Sequence, residues 1–254
     1  MADVTADVEV AGFDVSWVAE TGSTNADLLL AAQRGAPANL VLAADYQSQG
    51  KGRRGRSWQA AAGSGLLFSV LIRPQLSVES AGLVTTALAF SAAVSCEQMT
   101  GVRSLLKWPN DLVVQDRKLA GVLAESVVVG GRLEAVIVGM GLNVRSGSIP
   151  VEIATSAVDL EGICNSVVDR KELLAAILVR FAFWMGQVEE STGQAALVDA
   201  VRQHSATLGR QVLVELGDGT VLQGLAQDLD HQGALLLADG TRIVEGDVVH
   251  LRKA

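Results

Sequence analysis

Lys118-Leu-Ala-Gly121-Val-Leu-Ala-Glu-Ser-Val-Val-Val129-Gly130-Gly131-Arg-Leu133-Glu-Ala-Val-Ile-Val-Gly139-Met140-Gly141-Leu-Asn143-Val144 decides the fold class. Two valine-, isoleucine- and leucine-rich runs flank a glycine pair. β-Branched residues fit extended backbone, and adjacent glycines accept the positive φ of a two-residue hairpin turn. Strands are therefore predicted over 118–129 and 133–144. Further strands are read at 105–108 and 111–114 just upstream, and at 13–19, 40–45 and 66–72. The apolar, alanine-rich stretch 78–99, followed by Gly101, reads as a long buried helix. A second helix is predicted over 170–188, where Leu173, Leu174, Ile177, Leu178, Phe181 and Trp184 recur at helical spacing, and a third over 192–204. Ser23-Thr24-Asn25-Ala26-Asp27 opens a shorter helix that stops at Gly35, with Thr24 read as N-cap and Asp27 at the capping-box position. Runs of strands with helices elsewhere point to an α+β fold, a mixed, largely antiparallel central sheet flanked by helices.

From Leu208 the texture changes to short strands separated by Asp-Gly turns, at 211–215, 221–228, 233–237 and 248–252. That pattern predicts a small barrel. The boundary falls near Ala206, giving units 1–206 and 207–254. The segment 147–162 reads as a loop.

At 254 residues, with 49% hydrophobic and 19% charged side chains, the chain can bury a sizeable core. A net charge of −8 disfavours non-specific binding to DNA or anionic membranes. No uninterrupted apolar run reaches bilayer length, and the acidic N-terminus is not a secretory signal. Cys96 and Cys164 read as unpaired thiols of a reducing cytoplasm. With two Cys and three His, a dedicated zinc site is not expected.

Against that acidic background, Tyr46-Gln47-Ser48-Gln49-Gly50-Lys51-Gly52-Arg53-Arg54-Gly55-Arg56-Ser57-Trp58 stands apart. Four of the 20 Lys and Arg residues lie between Lys51 and Arg56. Unit charges ~4 Å apart repel by roughly 4 kcal/mol at an effective dielectric of 20. Without an anion the loop is expected to be splayed and mobile; a phosphate or carboxylate would let guanidinium forks and glycine-freed N–H groups close. A solvated basic turn and a nucleic-acid-binding loop are the competing readings.

Three other segments bear on the choice. Ser23-Thr24-Asn25 is either an ordinary cap or a polar cradle at a helix N-terminus. Lys107-Trp108-Pro109-Asn110-Asp111, followed by Arg117-Lys118-Leu119-Ala120-Gly121, is either a turn with a strand start or a polar knuckle beside a cation. Gly139-Met140-Gly141-Leu142-Asn143 is either a bulge or a place where a flat ligand approaches backbone.

Together and in this order, these motifs resemble those of biotin protein ligases, over about residue 17 to the end and including His231-Gln-Gly-Ala-Leu-Leu-Leu237. The resemblance implies the class II synthetase-like biotin/lipoate ligase fold with a C-terminal SH3-like barrel. It implies a two-step reaction with Mg²⁺: biotin and ATP give biotinyl-5′-AMP, and the biotinyl group passes to a lysine of a biotin carboxyl carrier domain. It makes Arg53 and Lys118 the catalytic cations. Biotin would be held by Ser23, Thr24, Asn25, Gln47, Gly50, Lys51, Arg53, Trp58, Lys118, Gly121, Gly139 and Gly141. The nucleotide would meet Arg53, Arg54, Arg56, Trp58, Asn110, Lys118, Asn143 and Arg252, with Asp111 as a metal ligand. A monomer or weak homodimer is expected.

The sequence departs from the family's pattern in places. About a dozen residues precede the first predicted strand, so no helix-turn-helix repressor unit and no specific DNA binding are expected. Lys51 stands where arginine is commoner. The window 147–162 lacks a tryptophan to pack on adenine, which leaves Ile149 or Val151 for that role. The rival enzyme is a lipoate-attaching ligase or acyltransferase on the same fold; the rival of another class is a non-enzymatic nucleic-acid-binding module.

Overall fold

The computed structural model describes residues 4–147 and 149–250. The glycine-pair hairpin forms as its composition predicts. Strands β7 (Arg117–Val129) and β8 (Arg132–Asn143) pair antiparallel, and Gly130 and Gly131 take φ of 57° and 79°. Ahead of them come β1 (Val4–Val10), β2 (Phe13–Thr21), β3 (Leu40–Gln47), β4 (Gly65–Ile72), β5 (Leu105–Lys107) and β6 (Asp111–Val114). The eight form one sheet in the order β1-β2-β3-β4-β8-β7-β6-β5, in which only β2 and β3 run parallel.

β1 was not expected. It doubles back on β2 through Ala11 and Gly12, at φ of 52° and 81°. The turn works because both residues adopt left-handed backbone, but alanine there gives none of the usual Asn or Asp signal.

Successive side chains of β8 point to opposite faces, as strand geometry requires. Val136, Val138 and Met140 enter the main core, while Ala135 and Ile137 join a smaller one with Leu28 and Ala32. Helix α1 (Thr24–Gln33) covers that second face. Helices α2 (Gly82–Thr100), α4 (Arg170–Val188) and α5 (Ser191–Gln203) cover the first, with Phe13 and Phe181 stacked 6.0 Å apart. With the single 3₁₀ turn before it, the span Val78–Thr100 is long and apolar enough on average to cross a bilayer, although Glu79, Glu97 and several hydroxyl side chains interrupt it. It is instead a core helix, with Leu83, Val84, Ala87, Leu88 and Ala92 fully buried. Cys96 on α2 is buried and free, and burial pushes its thiol up to about 12. The segment 147–162 contains a 3₁₀ turn, Val151–Ile153, and the start of the short α3 (Leu160–Cys164), capped by Asp159.

The C-terminal strands β9 (Gln211–Glu215), β10 (Val221–Leu229), β11 (Leu235–Leu237), β12 (Arg242–Ile243) and β13 (Asp247–His250) form an antiparallel five-stranded sheet. Its order is β12-β11-β10-β9-β13; no β12–β13 pairing closes it into a barrel among the described residues.

The two sheets meet around Thr207. Its hydroxyl accepts from Trp108 N at 3.0 Å and lies 3.2 Å from His250 Nε2, while Arg210 lies 3.2 Å from the other imidazole nitrogen. Burial, with the charges of Lys107 and Arg210, lowers the His250 pKa to about 4, against a weaker upward pull from Asp116. The unfolded chain protonates this residue below about pH 6.5, the folded one only near 4, so stability is full above 6.5 and drains away as pH falls between the two. Urea midpoints at pH 7 and pH 5 should differ more for wild type than for His250→Gln; equal differences would exclude this contribution.

Candidate active site

The chain leaves β3 at Gln47 and re-enters the sheet at Gly65. Arg170 ties both ends, pairing with Asp45 at 2.8 Å and donating to the Gly65 carbonyl at 2.9 Å. Between them the neck of the basic loop is closed by Trp58 N donating to Gly50 O at 2.9 Å, with a bridge between Lys51 and Ser57. A Cβ on Gly50 would stand 2.4 Å from the Trp58 carbonyl oxygen, so Gly50 serves the neck.

The loop is not splayed, as charge repulsion alone had led us to expect. Its arginines fold onto Asp247 at the start of β13: Arg56 at 2.8 Å, Arg53 and Arg54 each at 3.6 Å. Arg54 also pairs with Glu215 at 3.4 Å and donates to the Leu216 carbonyl. The acidic small sheet thus supplies the counter-charge that a local reading of the loop could not see. Arg53 reaches furthest inward, donating to Asn110 Oδ1 at 3.3 Å and to the Gly246 carbonyl at 3.2 Å. Burial lowers its pKa, and Asp247 opposes that shift.

Under the loop lies a cavity of about 130 Å³ with three distinct walls. The first is polar and neutral, built from Ser23, Thr24 and Asn25 at the start of α1 with Gln47 and Ser69. Ser23, not Thr24, is the N-cap: its side chain accepts from Ala26 N. That leaves the Thr24 hydroxyl free for the cavity wall, 2.7 Å from Ser69 Oγ and 3.1 Å from Gln47 Oε1, which also accepts from Thr24 N at 2.8 Å.

The second wall is cationic: Lys51, Arg53, Arg56 and Lys118, with Asn110 between. Lys118 Nζ lies 2.7 Å from Asp111 Oδ1 and 5.6 Å from the centroid of the Trp58 ring. Asn110 donates to the Val122 carbonyl at 2.6 Å while accepting from Arg53, so the Trp-Pro-Asn-Asp turn couples the two principal cations. The segment after the 151–153 turn joins the same wall from outside: Lys118 N donates to Ser156 O at 2.7 Å, and Val158 N to Lys118 O at 2.9 Å.

The floor is glycine. A Cβ on Gly141 would sit 2.3 Å from the Trp58 indole, and one on Gly121 would sit 3.0 Å from Lys118 Nζ. Gly139 makes room for a side chain of this protein, since its Cβ would meet Asn25 Oδ1 at 2.0 Å. The Trp58 indole N–H is buried without a hydrogen-bond partner among the described residues.

The cavity gathers most of the residues singled out from sequence. Gly50, Arg54, Asp111 and Asn143 stand behind its lining. Asn143 is 9% exposed and donates to the Val158 carbonyl at 3.2 Å, bracing the segment that pairs with Lys118. Arg252 lies outside the described residues. Sequence reading missed Ser69, Glu125 and Asp247. Ser69 alone left a signal, as the single polar side chain in the fully buried strand β4.

A mixed sheet carrying a half-neutral, half-cationic pocket beneath a basic loop, joined to a small β sheet, is the architecture of carboxylate-activating protein ligases. Residues 18–143 match the biotin/lipoate A/B protein ligase family, and residues 207–251 the biotin protein ligase C-terminal domain. A biotin--[acetyl-CoA-carboxylase] ligase of Mycobacterium tuberculosis is 37% identical over 243 residues, spanning 92% of this chain and 88% of that protein. Its counterpart in Paracoccus denitrificans is 32% identical, spanning 87% and 92%. Among solved structures, the Aquifex aeolicus biotin protein ligase in complex with biotin and ATP superposes with a TM-score of 0.79 at 29% identity, over 94% of this chain and 99% of that one. The chain belongs to the biotin protein ligase family.

Proposed function

We propose that this chain activates biotin with ATP to biotinyl-5′-AMP and transfers the biotinyl group to a lysine of a biotin carboxyl carrier domain, as the acceptor named for its relatives, acetyl-CoA carboxylase, implies. One observation carries the reading: a single cavity offers neutral hydrogen-bonding groups at one wall and Lys118 and Arg53 at the other. A ureido head needs the first, and a carboxylate meeting a phosphate needs the second.

In the first step a biotin carboxylate oxygen attacks the α-phosphorus, the bond to the bridging oxygen breaks, and pyrophosphate leaves. Reactants and transition state are anionic and no protein nucleophile is needed, so catalysis rests on positioning and charge neutralisation. Lys118 and Arg53 face the carboxylate and α-phosphate; Ser23, Thr24 and Gln47 hold the head group. The 151–158 segment, hydrogen-bonded to Lys118, borders the nucleotide, and Val151, 88% exposed, is the apolar side chain offered to adenine. In the second step the acceptor amine attacks the carbonyl, AMP leaves, an amide forms, and the amine's proton passes to solvent. Closure of the loop keeps water from the mixed anhydride meanwhile.

No cluster of three acidic, His or Cys side chains able to hold a metal occurs among the described residues. Mg²⁺ arriving with ATP draws its ligands chiefly from phosphate and water, and Asp111 fits the role of a lone supporting carboxylate. When bound, the ion would neutralise phosphate charge. We read the chain as a catalytic unit to 206 and a small unit from 207, cytoplasmic, monomeric or weakly dimeric, and without specific DNA binding.

The test is pyrophosphate exchange into ATP with biotin or lipoate as the acid. Exchange supported by biotin is expected; exchange driven by lipoate alone would replace this reading with the rival ligase on the same fold.

A further inference from the structure

Beneath the neutral wall a line of polar side chains leads away from the cavity, and their proton count admits one direction. Glu125 Oε2 lies 3.0 Å from Asn25 Nδ2. An ionised carboxylate only accepts, so the Asn25 amide must turn its NH₂ toward it. The Leu123 carbonyl, also an acceptor, lies 3.4 Å from the same nitrogen. Asn25 Oδ1 then faces Ser69 Oγ at 2.6 Å, and Ser69 donates. A hydroxyl has one proton. Toward Thr24 Oγ1, 2.7 Å away, Ser69 can therefore only accept, and it takes the Thr24 proton. Gln47 Oε1 is fixed as an acceptor by the Thr24 backbone N–H. Thr24 Oγ1 also lies within donating distance of Gln47 Oε1, 3.1 Å, but its one proton goes to the shorter contact with Ser69, which leaves Thr24 Oγ1 and Gln47 Oε1 as two acceptors side by side at the cavity wall. Such a pair calls for N–H donors, and a ureido ring carries two.

We infer that Glu125 is a positioning residue for head-group specificity, acting through Asn25 and Ser69 to hold Thr24 and Gln47 as paired acceptors for ureido N–H groups. The inference rests on the biotin reading above. Glu125 does not line the cavity. Gly139 belongs to the same device: a Cβ there would stand 2.0 Å from Asn25 Oδ1 and 2.8 Å from Ser69 Oγ, displacing the middle of the chain. Without the carboxylate, only the longer 3.4 Å contact with the Leu123 carbonyl holds the Asn25 amide, which can then turn over so that the order reverses. Asn25 then donates to Ser69, Ser69 to Thr24, and Thr24 to Gln47, so the acceptors are satisfied internally.

The experiment compares wild type, Glu125→Ala, Glu125→Gln and Ser69→Ala in pyrophosphate exchange. The acids are biotin and the two cyclic carbamate analogues in which one or the other ureido N–H is replaced by oxygen. Glu125→Ala should raise KM for biotin about tenfold, the scale of one lost hydrogen bond, with kcat changed by less than about twofold. Toward at least one carbamate the penalty should largely vanish, because the donor is already gone. Glu125→Gln should give a KM between those of wild type and Glu125→Ala, since its amide oxygen can accept from Asn25 but its NH₂ can equally donate to the turned-over amide. Ser69→Ala should reproduce the biotin-selective loss by cutting the chain, which keeps the test decisive if Glu125→Ala folds poorly. Equal losses for all three acids, or an unaltered KM in Ser69→Ala, would overturn the inference. Wild type inactive with biotin would overturn the assigned activity and this inference together.

Discussion

Lys118→Ala is expected to slow biotinyl-AMP formation by about a thousandfold, the upper range for removing one preorganised electrostatic group from a reacting centre. The surroundings explain why the loss should be that large. Lys118 Nζ lies 2.7 Å from Asp111 and beside the Trp58 ring, so its charge is aimed before any substrate arrives. Removing it leaves Asp111 uncompensated next to the place where a carboxylate must meet a triphosphate, and like charges there repel both substrates. Part of the loss is therefore repulsion by Asp111. The Lys118 side chain is 38% exposed, so the thermal midpoint should move by only a few degrees. Single-turnover formation of labelled biotinyl-AMP, read beside a thermal melt, checks both. A single variant within tenfold of wild type would remove Lys118 from the catalytic role.

The frame of this fold was legible where local chemistry and tertiary structure agree. The Gly130-Gly131 hairpin is an example: β-branched flanks and a positive-φ pair leave little choice. The ends of α4 were equally plain, because its apolar stripe is long and the Asp169 cap sits immediately before it. β1 was missed because its turn uses Ala11, a residue with no turn preference. At the start of α1, Ser23 and Thr24 are interchangeable as caps on local grounds; Ser69, far along the chain, decides by engaging the Thr24 hydroxyl. The same limit applies to the basic loop. Its cations and glycines announce an anion, but the anion it finds here is Asp247, near the other end of the chain, and no local pattern names so distant a partner. Glu125 likewise reads as a surface carboxylate until the sheet brings Asn25 to it.

Arg53→Gly should separate making the intermediate from keeping it. Arg53 joins three parts of the site through one nitrogen: Asn110 Oδ1 at 3.3 Å, the Gly246 carbonyl at 3.2 Å, and Asp247 at 3.6 Å. Its side chain is 18% exposed, the least of the loop arginines, so its bonds are the least screened. Glycine deletes these links and adds backbone freedom at the turn, which raises the entropy cost of closing the loop over a bound adenylate. Hydrogen bonds to charged groups contribute about 1.5–3 kcal/mol each, so loss of one or two should speed release of biotinyl-AMP by about a hundredfold. Adenylate formation itself should fall by less, because Lys118 and its Asp111 partner remain. Labelled adenylate preformed on the enzyme and chased with unlabelled biotin and ATP measures the release rate, and acylation of a bystander protein's lysines reports the leak. Arg53→Lys is the informative control: it keeps the charge but not the planar fork, so its release rate should fall between the other two. If glycine and wild type release the intermediate equally fast, the loop is not what retains it, and the contacts to Asn110 and Gly246 are only part of the junction between the sheets.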